Sequence, residues 1–133
     1  MSQLDRAAAF ANALDHDDFT AARPFLHAEC MYLIGSQVIC GAEAILNSYR
    51  NSAQDVSNRF DEVAYHSRVS MRSKNVAVID FLDTLKHKGW THSHTAQLIL
   101  TLNEAGVIVE IQHIDQPGAK ESFIAFLVKV GID

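Results

Sequence analysis

The sequence predicts an α+β fold in which a curved antiparallel sheet packs on N-terminal helices. Three observations predict it. Helical apolar spacing dominates the start of the chain, four long strand-like segments separated by short turn clusters follow after residue 58, and the composition suits one core. The 133 residues, 48% apolar and 20% charged, match a globular domain and disfavour disorder, coiled coil and collagen-like sequence. Residues 1–133 are accordingly expected to form a single domain.

From Leu4 to Leu14 the apolar residues Leu4, Ala7, Ala8, Phe10, Ala11 and Leu14 recur at helical spacing, and Asp5 stands in the first turn where it complements the helix dipole. Asp15-His16-Asp17-Asp18 breaks that pattern. A second short helix is predicted over Phe19 to Leu26, with Asp17 or Asp18 as N-cap and Pro24 in its first turns or at a bend. The run Cys30 to Ile34 reads as a strand, Gly35-Ser36 as a turn, and Gln37 to Cys40 as a return strand ending at Gly41. Ala42, Ile45, Leu46 and Tyr49 then share one face of a third helix, and the polar run Ser52 to Ser57 reads as its exit.

Four strands are predicted over Arg59 to Met71, Val76 to His87, Trp90 to Leu102 and Val107 to Asp115. The turns between them are Arg72-Ser73-Lys74-Asn75, Lys88-Gly89 and Asn103-Glu104-Ala105-Gly106. That is an antiparallel meander. Pro117-Gly118 stops the last strand, and Glu121 to Val130 suits either a further strand or a short helix. The chain carries no repeat, linker or low-complexity segment.

A net charge of −5 and a pI near 5.7 supply no Lys/Arg face to release counterions from a phosphate backbone, which argues against nucleic acid as a partner. The N-terminal residues lack the basic-then-apolar order of a signal peptide, and no apolar run approaches the roughly 20 residues needed to span a bilayer. A cytoplasmic protein without a membrane partner is expected. Cys30 and Cys40 are the only cysteines, and read as reduced, half-buried apolar residues that could lie close together. A zinc site would need further ligands at short spacing.

Helices, a small hairpin, one more helix and then long strands is the element order of the nuclear transport factor 2-like superfamily. The local phrases carry the likeness further. The stretch Phe10-Ala-Asn-Ala-Leu-Asp-His-Asp-Asp-Phe19 with Phe25-Leu26, the opening Gly41-Ala-Glu-Ala-Ile-Leu-Asn-Ser-Tyr49, and the turn Asn103-Glu-Ala-Gly106 resemble its SnoaL-like and ketosteroid-isomerase branches over nearly the whole chain. The resemblance implies a cystatin-like cone with a pocket between the concave sheet face and the first helix. Members use that pocket as isomerases, dehydratases, cyclases, epoxide hydrolases or non-catalytic binders, so fold cannot supply function. Against the isomerase pattern this chain has Phe10 in place of the oxyanion-binding Tyr, Ile34 in place of the general base Asp, and Leu98 in place of the protonated Asp. Ketosteroid isomerase chemistry is therefore disfavoured, although Tyr49 falls where that branch keeps a supporting tyrosine.

Strand parity gives an independent handle, because side chains alternate faces and a turn fixes which residues oppose one another. A two-residue loop at Lys88-Gly89 pairs Leu85 with His92, Asp83 with His94, Phe81 with Ala96 and Ile79 with Leu98. A four-residue loop over Asn103 to Gly106 pairs Leu98 with Ile111, Ala96 with His113 and His94 with Asp115. One face then holds Ala77, Ile79, Phe81, Leu98, Leu100, Leu102, Val107, Val109 and Ile111 at one end, and Asp83, His92, His94, His113 and Asp115 at the other. The opposite face, with Thr84, Thr91, Ser93, Thr95, Gln97, Thr101, Glu110 and Gln112, suits solvent or a homodimer interface.

In this register His94 lies between Asp83 and Asp115, with His113 diagonal to it. A carboxylate fixes the tautomer of an adjoining imidazole and prepares it as a general acid or base. The competing readings are hydrogen bonding that merely satisfies polarity at a core rim and, less well supported, a metal held by His92-x-His94 with His113. The site expected is His94, Asp83, His113 and Asp115 as catalytic groups, with Phe10, Tyr32, Tyr49, Phe81, His92 and Leu98 against substrate. Neither a metal nor an organic cofactor is expected. Two functions remain open: an acid–base dehydratase, isomerase or cyclase acting on a small apolar ligand, and a non-catalytic ligand-binding or dimeric assembly domain. The acids Asp15, Asp17 and Asp18 read as a solvated corner and cap.

Overall fold

A computed structural model describes residues 1–132. Helix α1 spans Gln3–Asp15, α2 Phe19–Ala22, and a 3-10 turn Arg23–Phe25 leads into strand β1, Leu26–Ile34. Strand β2 is Gln37–Cys40, α3 Ala42–Arg59, β3 Glu62–Ser73, β4 Val76–His87, β5 Trp90–Leu102, β6 Ile108–Asp115 and α4 Ala119–Val130. The six strands form one curved, unclosed sheet in the order β2-β1-β6-β5-β4-β3. The β3-to-β6 meander is antiparallel as the turns imply, whereas β1 joins β6 in parallel, a long-range pairing with no local signature.

Helix α1 starts in a capping box. Ser2 Oγ accepts from Asp5 N at 3.0 Å and Asp5 Oδ2 from Ser2 N at 3.1 Å, which satisfies two otherwise orphaned donors. Gln3 Nε2 donates to Asn75 Oδ1 and Asn103 O, each at 3.0 Å, pinning the helix start to two hairpin turns. The inward stripe Ala7, Phe10, Ala11 and Leu14 meets Ala77, Ile79, Leu98, Leu100 and Ile111 in the main core. Asp18 caps α2 by accepting from Ala21 N. Pro24 stands at the start of the 3-10 turn and divides the single helix expected over Phe19 to Leu26.

The Lys88-Gly89 turn has φ of +50° and +81° at its two residues, the geometry that suits the right-handed twist of paired strands. The β4/β5 register is accordingly the expected one, with Asp83 opposite His94, Phe81 opposite Ala96 and Ile79 opposite Leu98. The β5/β6 register differs from expectation. Asn103 Oδ1 accepts from both Ala105 N and Val107 N at 3.0 Å, and Asn103 N donates to Val107 O at 2.9 Å, so the turn consumes Val107. A bulge beside Thr101 and Leu102 follows, leaving Leu98 opposite His113 and Ala96 opposite Asp115. The slip is two residues relative to the expected pairing, so His113 and Asp115 keep their inward face. Ile108, not Val107 or Val109, takes the buried place beside Leu102.

Helix α3 runs on through Ser52 to Ser57 instead of ending there. Polar residues on its outer side hid the continuing stripe of Tyr49, Ala53 and Val56, which faces the sheet. The segment left open at the C-terminus is helical, and α4 buries Phe126 and Val130 against Phe60 and Leu85 in a second, smaller core. Cys30 is buried and Cys40 exposed, and both are free thiols.

Candidate active site

A cavity of about 260 Å³ opens between the concave sheet face and the helices. Leu14 and Asp17 at the end of α1, Phe19 on α2, and Ser48, Tyr49, Ser52, Ala53 and Val56 on α3 form one side; Tyr32, Ile34, Tyr65, Phe81, Asp83, Ala96, Leu98 and His113 on the strands form the other. An apolar recess with a few convergent polar groups is the usual form of a small-molecule site.

The polar wall is a chain of hydrogen bonds. His113 Nε2 lies 2.9 Å from Asp115 Oδ1, and His113 Nδ1 lies 3.1 Å from Tyr32 Oη. An ionised carboxylate can only accept, so Nε2 carries the ring proton, and the free Nδ1 then accepts from the Tyr32 hydroxyl. Tyr32 belongs to β1 and His113 to β6, and the parallel β1/β6 ladder brings them together by placing Ile34 opposite His113 and Tyr32 opposite Ile111. Burial pushes the Tyr32 phenol up to about 12, against the opposing influence of a hydrogen bond from Tyr49 and with Asp115 adding to it, so Tyr32 stays a phenol until its proton is taken along a hydrogen bond. Asp115, 56% exposed, is the solvent-side end of the chain and also lies 3.5 Å from His94 Nε2.

Asp83 faces the same cavity from β4. Its carboxyl is pushed up to about 6, first by burial and then by the neighbouring acids Asp15 and Asp17, against the opposing influence of His94 and His113. A carboxylate so placed exchanges a proton near neutral pH, the property a general acid or base needs. Asp83 and the Tyr32–His113–Asp115 chain therefore complement each other. With the mobile proton on His113, Tyr32 donates into the cavity and Asp83 accepts; with it on Asp83, the roles exchange.

Of the residues singled out from sequence, Asp83, His113, Tyr32, Tyr49, Phe81 and Leu98 line the cavity. Asp115 supports His113 from behind. His94, opposite Asp83 on the β4/β5 ladder and 3.5 Å from Asp115, still lies between the two acids, although the β5/β6 slip makes Asp115 its diagonal and not its direct neighbour and His94 does not line the cavity. Phe10 is fully buried in the main core and does not reach the cavity. His92 is turned away under α4, its ring stacked on Phe126 at 5.2 Å and near Phe123 at 5.6 Å, so it does not converge with His94 and His113 on a metal. Among the described residues no three His, Cys, Asp or Glu side chains are grouped as metal ligands would be. Burial and then His94 hold the His92 imidazole below its usual pKa.

Sequence reasoning passed over Asp17, Phe19 and Tyr65. Asp17 is exposed at the acidic corner, as expected, but it also borders the cavity, and partial burial raises its carboxyl. Its neighbour Asp15 accepts from Ser67 Oγ at 2.6 Å through Oδ2. Tyr65 stands opposite Asp83 across the β3/β4 ladder; the expected four-residue turn Arg72 to Asn75 would have paired Asp83 with Ala64, and a bulge between Met71 and Ser73 shifts the register by one.

No protein-family model matches the sequence, and no curated protein matches it. Solved structures do resemble it. A candidate polyketide cyclase from Xanthomonas campestris pv. campestris superposes with a TM-score of 0.69 at 14% identity, covering 93% of this chain and 98% of that one. An LEH-like epoxide hydrolase from M. tuberculosis gives 0.64 at 16% identity over 96% of each chain. An NTF2-like protein of unknown function from Cytophaga hutchinsonii ATCC 33406 gives 0.65 at 17% identity, covering 88% of this chain and 92% of that one. No helix among the described residues is long and apolar enough to cross a membrane. The fold is that of nuclear transport factor 2-like proteins, the architecture that the Gly41 and Asn103 phrases implied.

Proposed function

We propose that this chain is a cofactor-independent acid–base enzyme of the dehydratase, isomerase or cyclase type, acting on a compact, largely apolar molecule in the cavity. The observation that carries this reading is the continuous chain Tyr32–His113–Asp115, at 3.1 and 2.9 Å, facing a carboxyl group whose pKa stands at about 6. In an elimination, Asp83 removes a proton from the carbon beside the leaving group while Tyr32 protonates the departing oxygen. The step starts from the His113 imidazolium that Asp115 holds in place: its Nδ1 proton replaces the one Tyr32 has given up, leaving a neutral ring and a protonated Asp83, and solvent carries the Asp83 proton back to His113 before the next turnover. In an isomerisation the same two groups move a proton between substrate carbons through an enol that Tyr32 stabilises. The occurrence of a candidate polyketide cyclase and an epoxide hydrolase among similar folds supports the class without selecting the substrate.

The test is turnover of a panel of cyclic ketones, β-hydroxy ketones and epoxides by the natural chain, His113→Asn and Tyr32→Phe. General acid–base groups contribute about 10²- to 10⁴-fold, so each variant is expected to lose at least about 10²-fold in kcat while the fold survives. Natural turnover in both variants would remove the assignment. One observation favours the non-catalytic alternative: Phe123 and Phe126 fill the His92 end of the concave face with the chain's own side chains.

A further inference from the structure

Helix α4 is apolar on more sides than the chain covers. Phe123, Phe126, Leu127 and Val130 turn inward onto Phe60, Leu85 and the His92 ring. A helix that packs on one side only is expected to be polar on the other. Here the outward side carries Ile124, 49% exposed, and Val128, 75% exposed, one turn apart, with the exposed Ala125 beside them. Two aliphatic side chains in water on one strip of helix are a cost that some surface must offset.

Cations frame that strip. At about 100° per residue, Lys120 and Lys129 fall on opposite flanks of the line from Ile124 to Val128, and both are exposed. At the C-terminal end Lys129 Nζ lies 4.7 Å from the centre of the Trp90 ring, which is 48% exposed. Lys88 reaches the same end, its Nζ 4.0 Å from where a Cβ on Gly131 would stand. The acids nearby are partly engaged: Asp61 accepts from Lys88 N at 2.9 Å and Glu62 pairs with Lys86 at 3.8 Å. Glu121, in the first turn, is the acid of the strip itself. In the headgroup region of a bilayer, a helix lying flat buries its outer apolar residues, its lysines reach anionic phosphates along their alkyl stems, and an indole sits at the polar–apolar boundary. A second copy is the rival occupant. It is disfavoured because the lysines of the strip outnumber its acid, and because Ile124 and Val128 fall short of the roughly 800 Å² per partner that a stable protein interface buries.

We propose that the outer side of α4, with Trp90, docks this chain flat on an anionic lipid surface. The expectation of no membrane partner followed from the lack of a bilayer-spanning run, and a helix lying in the interface needs none. The docking face does not depend on the reaction assigned to the cavity, none of whose lining residues belongs to α4 or to the turn before Trp90.

Trp90 is the only tryptophan of the chain, so its emission reports contact with lipid directly. The natural chain is titrated with vesicles of phosphatidylcholine and phosphatidylglycerol in equal parts, and with vesicles of phosphatidylcholine alone. The mixed vesicles should shift Trp90 emission to the blue, quench it when their lipids are brominated on the upper acyl chain, and bind the chain at least about tenfold more tightly than the neutral ones. Ile124→Ser with Val128→Ser, at exposed positions, should weaken that binding at least about tenfold with the circular dichroism unchanged. Lys88→Gln with Lys120→Gln should weaken it by about tenfold or more and flatten its dependence on salt. Leu4→Ser, at an exposed apolar position on α1, should leave it unchanged. The proposal is overturned by no co-sedimentation with mixed vesicles, by equal binding to both compositions, by full binding in either double variant, or by equal loss in Leu4→Ser. A lipid-free Trp90 shift that grows with protein concentration, with a rise in mass that Val128→Ser abolishes, would assign the strip to a second copy and likewise overturn it.

Discussion

Replacing Asp83 by Asn separates catalytic poise from stability. In the folded chain the carboxyl titrates at about 6 instead of 3.8, and at about 1.4 kcal/mol per pH unit this difference corresponds to about 3 kcal/mol of unrepaid burial once the group is ionised. The side chain is only partly buried, so screening by water lowers the realised value to about 2 kcal/mol. The sign follows from the raised folded value. Below pH 3.8 Asp83 is protonated in both states and costs nothing; as pH rises through about 6 the folded state loses stability relative to the unfolded one. Asp83→Asn abolishes that loss. In urea denaturation followed from pH 4 to pH 8, the variant should gain about 2 kcal/mol over the natural chain across the range, while losing turnover. A stability difference that stays constant with pH, or that shrinks toward pH 8, would show that Asp83 is not held under this burden and would remove it from the proton-transfer pair.

Other consequences follow from the same geometry. His92 shows the opposite pH trend: its imidazole is held below the usual value by burial and His94, so its packing with Phe126 is fully stabilising above about pH 6.5 and weakens as pH falls through the lowered value. Hydrogen exchange of α4 amides should accelerate below pH 6 relative to β4 amides, and His92→Leu should remove that acceleration; equal pH trends in both would refute the coupling. On the outer sheet face Leu82, Met31 and Val38 are 41%, 41% and 52% exposed among the Thr and Gln side chains, and this face is proposed to pair with a second copy. Light scattering should give a dimer for the natural chain and a monomer for Leu82→Glu with Met31→Glu; a natural monomer would end that proposal.

The parts of this site that were legible in the sequence are those fixed by short-range chemistry. Lys88-Gly89 admits the positive φ angles of a tight hairpin, so the pairing of Asp83 with His94 followed from the turn alone. Asn103 hid a longer turn, because its side chain accepts from Ala105 N and Val107 N, and that one substitution of side-chain for backbone hydrogen bonding moved His113 and Asp115 two residues along β5. Parity survived the slip, which is why the right residues remained on the right face with the wrong partners. Tyr32 entered the chain of hydrogen bonds through the parallel β1/β6 ladder, a contact across most of the sequence that no local pattern encodes. The second role of Asp17, at the border of the cavity, was hidden for a different reason. Asp17 stands in an acidic corner with φ of +52°, where a polar residue suits turn geometry whether or not a cavity lies behind it. The end of α3 was obscured because Ser52 to Ser57 is polar, although Tyr49, Ala53 and Val56 kept helical spacing through it.

His113, held between Asp115 and Tyr32, is the proton relay on which the proposed chemistry depends. Long-range ¹H–¹⁵N correlation of the His113 ring tests it without a substrate. In the neutral ring the proton is expected on Nε2, with Nδ1 the unprotonated acceptor. Tyr32→Phe should shift the Nδ1 resonance and Asp115→Asn should release the tautomer. A ring protonated at Nδ1, or a spectrum that neither substitution changes, would contradict it.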